Sequence, residues 1–367
     1  MKDEKTLAWL TLYFIPGLGN NILKRLIENL REPEAVLEAS LSGLMKISGV
    51  REDIARKIVG RAFEKEAEKE LRAVGRCGAR IIGYTDPSYP GLLREIHSPP
   101  MLLYVKGQDV PLSQTFIGVV GSRQPSHYGL NAAEKIGVGL AKRGVGVVSG
   151  LARGIDSAAH RGCLKGNGFT IAVLGTGIDR VYPSSNRGLF EQVTQSGVVV
   201  SEFPTSSPPE PRNFPIRNRI ISGLSRGIAV VEATKNSGSL ITASLALDQG
   251  REVFAVPGSI NSFKSTGTHY LIKQGAKLIE NADDILDEFV AVGRGVEDRV
   301  SLSGAAGTFP DMDKSEKKVY EMMSDYPVHI DHIVRVGDMG VGEVAGILMK
   351  MELKGLIRQL PGKMYIR

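Results

Sequence analysis

Three short segments of the sequence set glycine and serine beside an arginine or a lysine. They are Gly121-Ser122-Arg123, Ser149-Gly150-Leu151-Ala152-Arg153-Gly154, and Ser237-Gly238-Ser239 with Lys235 just before it. Glycine lets a backbone approach a ligand closely, serine supplies a hydroxyl, and arginine supplies a two-pronged donor that fits a phosphate. At a helix N-terminus such a segment also presents unpaired N–H groups and the positive end of the helix dipole. One segment alone is ordinary tight-turn geometry. Three that converge on one edge of a sheet make an anion-binding crevice, and Gly121, Ser122, Arg123, Ser149, Gly150, Ala152, Arg153, Lys235, Ser237, Gly238 and Ser239 are its expected lining.

A fourth segment, Asn213-Phe214-Pro215-Ile216-Arg217-Asn218-Arg219, sets two arginines two residues apart behind a phenylalanine. Arg217, Asn218 and Arg219 could grip a nucleic-acid backbone or stack on bases. They could equally tie the Pro-rich loop that starts at Phe203 to a strand-end carboxylate such as Glu202 or Glu232, and one of the two arginines is expected to be structural. Asp156 and His160, four apart, share a helix face. They read either as an acid/base pair or, more commonly for such spacing, as a cap with a hydrogen-bonded imidazole. No Walker A or G-x-G-x-x-G fingerprint follows a strand, so a nucleoside triphosphate or dinucleotide is not the preferred ligand. No cofactor, metal ligand or catalytic residue is assigned.

The elements that must position these residues show in the apolar patterning. Near-continuous Val/Ile runs at 116–120, 146–148, 170–174, 198–200, 227–231 and 253–256 each end in a polar or glycine loop and alternate with helical segments such as 129–143 and 239–249. Strands buried on both faces need such runs, and the alternation predicts an α/β, Rossmann-like, doubly wound parallel sheet over residues 76–290. In such sheets ligands bind beyond the carboxyl ends of the strands, where the Gly/Ser loops lie. Farther on, 268–274 reads as a helix and 276–279 as an edge strand. Tyr270, Leu271 and Ile272 cannot all point into one core, so His269, Ile272 and Leu278 are expected at a two-fold interface with a second copy.

Residues 1–75 contain a short repeat. Ile15-Pro16-Gly17-Leu18-Gly19 recurs as Ile47-Ser48-Gly49-Val50, each between helical runs. This predicts an N-terminal helix-hairpin-helix (SAM-like) domain, whose hairpins either bind a DNA phosphate or merely turn the chain. Residues 291–312, small and polar, read as a linker. Residues 313–367 have the order of a winged helix, which could contact DNA through its third helix or, being nearly neutral, contact protein.

Composition frames these readings. The net charge is +6, and residues 76–290 hold 22 Lys and Arg against 17 Asp and Glu, which favours a polyanionic partner for the middle of the chain. No run approaches the ~20 apolar residues that span a bilayer. The N-terminus carries acids and lacks the basic flank and apolar run of a signal peptide, and two distant cysteines, Cys77 and Cys163, fit a reducing cytoplasm better than a disulfide.

The central zone resembles the DprA/Smf family of DNA-processing proteins. The matching stretches are GSRQPSHYG at 121–129, SGLARGIDSAAH at 149–160, TIAVLGTGIDRVYPSSN at 170–186, SEFP at 201–204, FPIRNRIISGLS at 214–225, VVEATKNSGSLITA at 230–243 and REVFAVPG at 251–258. The resemblance implies a protein that binds single-stranded DNA, dimerises through the central domain and loads the RecA recombinase during uptake of DNA, and not an enzyme. A more distant likeness to phosphoribohydrolases leaves a nucleotide-binding or nucleotide-hydrolysing enzyme as the alternative. Those enzymes carry a Pro-Gly-Gly-x-Gly-Thr loop and a downstream glutamate. Here the loop is Ser237-Gly238-Ser239-Leu240, and the helix that follows offers Asp248 but no glutamate. A sequence-specific transcription factor acting through the winged helix is a third reading.

Overall fold

The computed structural model describes residues 2–293, 312–323, 327–337, 339–360 and 362–366, so most of the linker expected over 291–312 lies outside the described residues. Two compact units emerge: Met1–Pro125 with Ala132–Glu288, and Ser126–Asn131 with Phe289–Arg367.

The first unit opens with six helices: α1 (Lys2–Tyr13), α2 (Asn20–Leu30), α3 (Pro33–Glu38), α4 (Leu41–Met45), α5 (Glu52–Val59) and α6 (Glu64–Arg76). The sequence repeat is a structural one. Gly17 and Gly49 share a φ of +89°, a backbone that a side chain would strain, and each turns the chain into a helix. Leu23, Leu26 and Ile27 of α2, and Ile54 and Ile58 of α5, then fall on the buried faces of those helices.

A nine-stranded sheet follows. Its strands are β1 (Arg80–Gly83), β2 (Leu102–Gly107), β3 (Phe116–Val120), β4 (Gly146–Ser149), β5 (Thr170–Leu174), β6 (Val198–Ser201), β7 (Gly227–Val230), β8 (Glu252–Ala255) and β9 (Lys277–Leu278). Their order is β1-β2-β6-β5-β4-β3-β7-β8-β9. The seven from β6 to β9 pair in parallel, while β1 and β2 add an antiparallel edge. The helices between them are α7 (Gly91–Arg94), α8 (His127–Lys142), α9 (Ile155–Lys165), α10 (Arg187–Ser196), α11 (Asn213–Gly223), α12 (Gly238–Asp248), α13 (Thr266–Lys273) and α14 (Ala282–Gly293).

The sheet is covered on both faces, as the unbroken apolar runs require. In β5, Ala172 and Leu174 pack into one cluster with α1, α2 and α10, whereas Ile171 and Val173 join the opposite cluster with α11, α12 and α13. The N-terminal helices therefore share a core with one face of the sheet. This is the doubly wound α/β fold expected. β3 pairs with both β4 and β7, so the chain leaves β3 to one side and later returns on the other. That is a topological switch point, where the connecting loops part and leave a crevice.

The second unit carries α15 (Lys314–Glu321), α16 (Ile330–Gly337) and α17 (Val341–Leu353), with the small sheet β10 (Val328–His329), β12 (Met364–Ile366) and β11 (Arg358–Leu360). A capping box at Asp313 and Glu316 starts α15. Val319, Ile333, Val344, Leu348 and Tyr365 form its core.

Candidate nucleic-acid interface

The crevice lies at the switch point. Its main lobe has a volume of about 620 Å³ and is walled by Gly121, Ser122 and Arg123 after β3, Ala152 after β4, Arg217 and Asn218 on α11, and Ser237, Gly238 and Ser239 at the start of α12. A second lobe of about 530 Å³ shares Arg123, Ala152 and Arg217 and adds Gly150, Arg153 and Arg180. Arg123, Arg153, Arg180 and Arg217 thus face one continuous cavity, whose single carboxylate is that of Asp156.

The turn after β3 is fixed by its backbone: Ser122 N–H donates to the Glu232 carbonyl at 2.7 Å, and Ile155 N–H donates to the Ser122 carbonyl at 3.1 Å. Arg123 is left exposed, its guanidinium 5.3 Å from the centre of the Phe214 ring. Phe214 also lies 5.7 Å from the ring of Tyr182. A cation and two aromatic faces so arranged can take a phosphate and stack a base.

The turn after β4 is held from below. Asp156 accepts from Gly150 N–H at 3.1 Å and from Ala152 N–H at 3.4 Å. Ser157 donates to the Ala152 carbonyl, and Asn186 to the Leu151 carbonyl. Burial raises the Asp156 carboxyl above the usual range, against the opposing pull of Arg217 and the two amides. His160 is fully buried. Its Nδ1 lies 2.7 Å from Thr170 Oγ1, which itself donates to the Val147 carbonyl. Nδ1 must therefore carry the proton, and burial, reinforced by Arg217 and Arg161, holds the imidazole down to about 3. His160 is thus the hydrogen-bonded imidazole expected, but Asp156 is no helix cap. Gly154 takes the N-cap of α9 without a side-chain bond, and the Asp156 carboxylate, inside the first turn of the helix, holds the turn after β4 instead.

Several expected contacts sit elsewhere. Ser149 is fully buried and donates its hydroxyl to the Val119 carbonyl at 2.6 Å, so it serves the sheet. Lys235 is exposed but lines neither lobe. Arg217 and Arg219 are both tied to the scaffold, where only one was expected to be. Arg217 donates to the carbonyls of Gly150, at 2.7 Å, and Val173, and burial lowers its guanidinium to about 10, still charged at neutral pH. Arg219 faces away from the main crevice and pairs with the buried Glu202 carboxylate and the Ser98 carbonyl. At the third turn, the hydroxyls of Ser237 and Ser239 lie 2.7 Å apart, and Asn218 reaches the Gly238 carbonyl at 3.4 Å. Sequence reasoning missed Arg180 and Tyr182, which stand in the TGIDRVYP stretch after β5; the strand-end rule that picked out the other loops applies to that one too. Asp248, the carboxylate of the enzyme alternative, ends α12, about 15 Å along the axis from the crevice.

At the proposed interface, His269 is half-buried with Nε2 3.0 Å from the Gly258 carbonyl, and Ile272 packs partly into the core. Leu278 is 46 % exposed on the edge strand β9. Among the described residues, no helix is long and apolar enough to cross a membrane.

A family model described as DNA recombination-mediator protein A matches residues 80–290, and one described as the DprA winged helix domain matches residues 305–363. Protein Smf of Synechocystis is 36 % identical over the whole of both chains. The chain belongs to the DprA/Smf family. DNA processing protein DprA of Streptococcus pneumoniae is 47 % identical over 56 % of this chain and 72 % of its own. An X-ray structure of that S. pneumoniae protein superposes with a TM-score of 0.68 at 37 % identity, covering 76 % of this chain and 95 % of the other. A structure of DNA processing protein A from Helicobacter pylori, described for its single-stranded DNA binding mode, gives a TM-score of 0.52 at 27 % identity over 58 % of this chain and 96 % of its own.

Proposed function

We propose that the chain is a single-stranded-DNA-binding recombination mediator, which protects incoming single strands and loads the RecA recombinase, as in natural transformation. The observation that carries this reading is the switch-point crevice. It offers three exposed arginines, Arg123, Arg153 and Arg180, in front of the buried Arg217, with the N-terminus of α12 and an open pair of aromatic rings beside one buried carboxylate. Arginines and helix N-termini suit phosphates, and exposed ring faces suit unpaired bases, which a duplex keeps stacked. The fixed turns mean that little ordering entropy is lost when a ligand arrives. The H. pylori relative, described for its single-stranded DNA binding mode, supports the same ligand class, and the compartment that fits it is the cytoplasm.

The test is fluorescence anisotropy of the full chain with single- and double-stranded oligonucleotides over a salt series. Tighter binding of single strands, with little sequence preference and a steep salt dependence, is expected. Equal affinity for duplex of the same length, or no salt slope, sinks the crevice model. RecA loading is read separately, as faster recombinase filament growth on single strands already coated with a single-strand-binding protein.

A further inference from the structure

The winged-helix unit carries a surface that the nucleic-acid reading leaves unused. α17 buries Val344, Ile347, Leu348 and Met351 in its own core. With 3.6 residues per turn these four share one face, so Gly342, Gly346, Met349 and Leu353 fall on the opposite one. Met349 is 66 % exposed and Leu353 80 %, a large apolar outlay for the helix that would read DNA in a winged helix. At positions 342 and 346 an added Cβ would meet nothing within 4 Å. The outward face is thus bare along its N-terminal half and bears two long apolar side chains along its C-terminal half. Glu343 flanks the bare half, and Lys350 flanks the apolar half on the same side.

We infer that this face of α17 docks a second copy of the same chain, the two helices running antiparallel about a two-fold axis. That arrangement lays Met349 and Leu353 of each copy over the bare Gly346 and Gly342 backbone of the other. It also brings Glu343 of each copy within a turn of Lys350 of the other. A parallel pairing would instead set glycine against glycine, leaving a void, and would send Glu343 of one copy and Lys350 of the other to opposite flanks of the contact. Shape therefore selects the antiparallel copy, and the Glu343–Lys350 pairs form only in it. This contact is separate from the β9 edge, so a chain that uses both surfaces assembles beyond a dimer as its concentration rises.

Sedimentation of the full chain across a micromolar concentration series tests this. Leu353→Glu and Met349→Glu should each weaken concentration-dependent association about tenfold or more. Both sites are exposed, so melting temperatures should hold. Glu343→Lys should weaken it too, and adding Lys350→Glu to that variant should restore it, because the swapped charges still meet across the two-fold axis. Association that is unchanged in Leu353→Glu, or a double charge swap that fares no better than the single one, overturns the inference. So does a Leu353→Glu protein that keeps its mass but loses affinity for DNA, since the helix would then serve nucleic acid.

Discussion

Arg217 Nη1 lies 2.7 Å from the Gly150 carbonyl oxygen, and a Cβ built on Gly150 would stand 2.4 Å from that same nitrogen. The turn after β4 and the arginine of α11 therefore occupy space that only glycine leaves open. The guanidinium cannot simply swing aside, because it is buried and is also bound to Val173. Its removal from the Gly150 carbonyl would leave buried polar atoms without partners.

Gly150→Ala is expected to destabilise the protein by about 1–3 kcal/mol through overpacking. It should also lower single-strand affinity, since the Ala152 and Arg153 turn moves with it. Thermal melting and anisotropy on the same preparation check both effects. A variant with parental melting and binding would show that the turn is not held by this contact.

The buried imidazole gives the fold a pH dependence of known sign. An unfolded histidine titrates near 6.5, whereas His160 in the fold is held down to about 3. The unfolded chain therefore takes up a proton that the fold refuses. The stability is whole above pH 6.5 and is lost as pH falls from there toward 3, by at most about 1.4 kcal/mol per unit. Asp156, raised by burial, acts with the opposite sign once pH falls below its raised value. Between pH 8 and 5.5, His160→Gln should melt lower than the parent at neutral pH yet show a shallower loss on acidification. Equal slopes in the two proteins would count against His160 as the source.

Most of the sheet was legible because strands buried on both faces carry little but Val, Ile and Ala, and six such runs lie in β3 to β8. The antiparallel pair β1 and β2 was missed because Arg80–Gly83 is short and Leu102–Gly107 follows a proline-rich stretch that reads as loop. In the crevice, the loop positions of Gly121, Ser122, Arg123, Gly150 and Ser237 followed from strand ends alone. Which polar groups turn inward did not. Ser149 and Arg153 look alike in sequence as crevice residues, but one closes a strand and the other leaves the turn. The fates of Arg217 and Arg219 depend on carbonyls and a carboxylate from distant segments, which no spacing within 213–219 encodes.

Assembly through the far edge of the sheet has a clean test. Leu278 projects from β9, whereas Ile272 is partly within the core. Leu278→Arg should therefore give a protein that melts like the parent but has lost the contact at this edge, read as a lower mass by light scattering at low concentration. Ile272→Arg should lose stability as well, because it buries a charge. An unchanged mass in folded Leu278→Arg removes the β9 edge from the interface.

Arg123 and Arg219 separate ligand contact from scaffold. Arg123 is exposed and touches only the Phe214 ring among the contacts seen, so Arg123→Ala should keep its melting temperature. Loss of one charged phosphate contact should cost about 1.5–3 kcal/mol, hence at least about tenfold in affinity. The loss should be alike for all oligonucleotide sequences, and the salt slope should flatten by about 0.7, because a phosphate contact carries no base information. Arg123→Lys keeps the charge without the fork and should fall between the two. Arg219 is different: its partner Glu202 is buried and keeps only the Asn20 amide as a side-chain partner, so Arg219→Ala leaves a buried carboxylate without its counter-charge. That variant should lose about 3 kcal/mol of stability, with any loss of binding following from the fold. Anisotropy and thermal melting on both alanine variants give four numbers. Parental binding by Arg123→Ala would take that side chain out of the site and leave the N–H groups of the turns and of α12 to hold the strand.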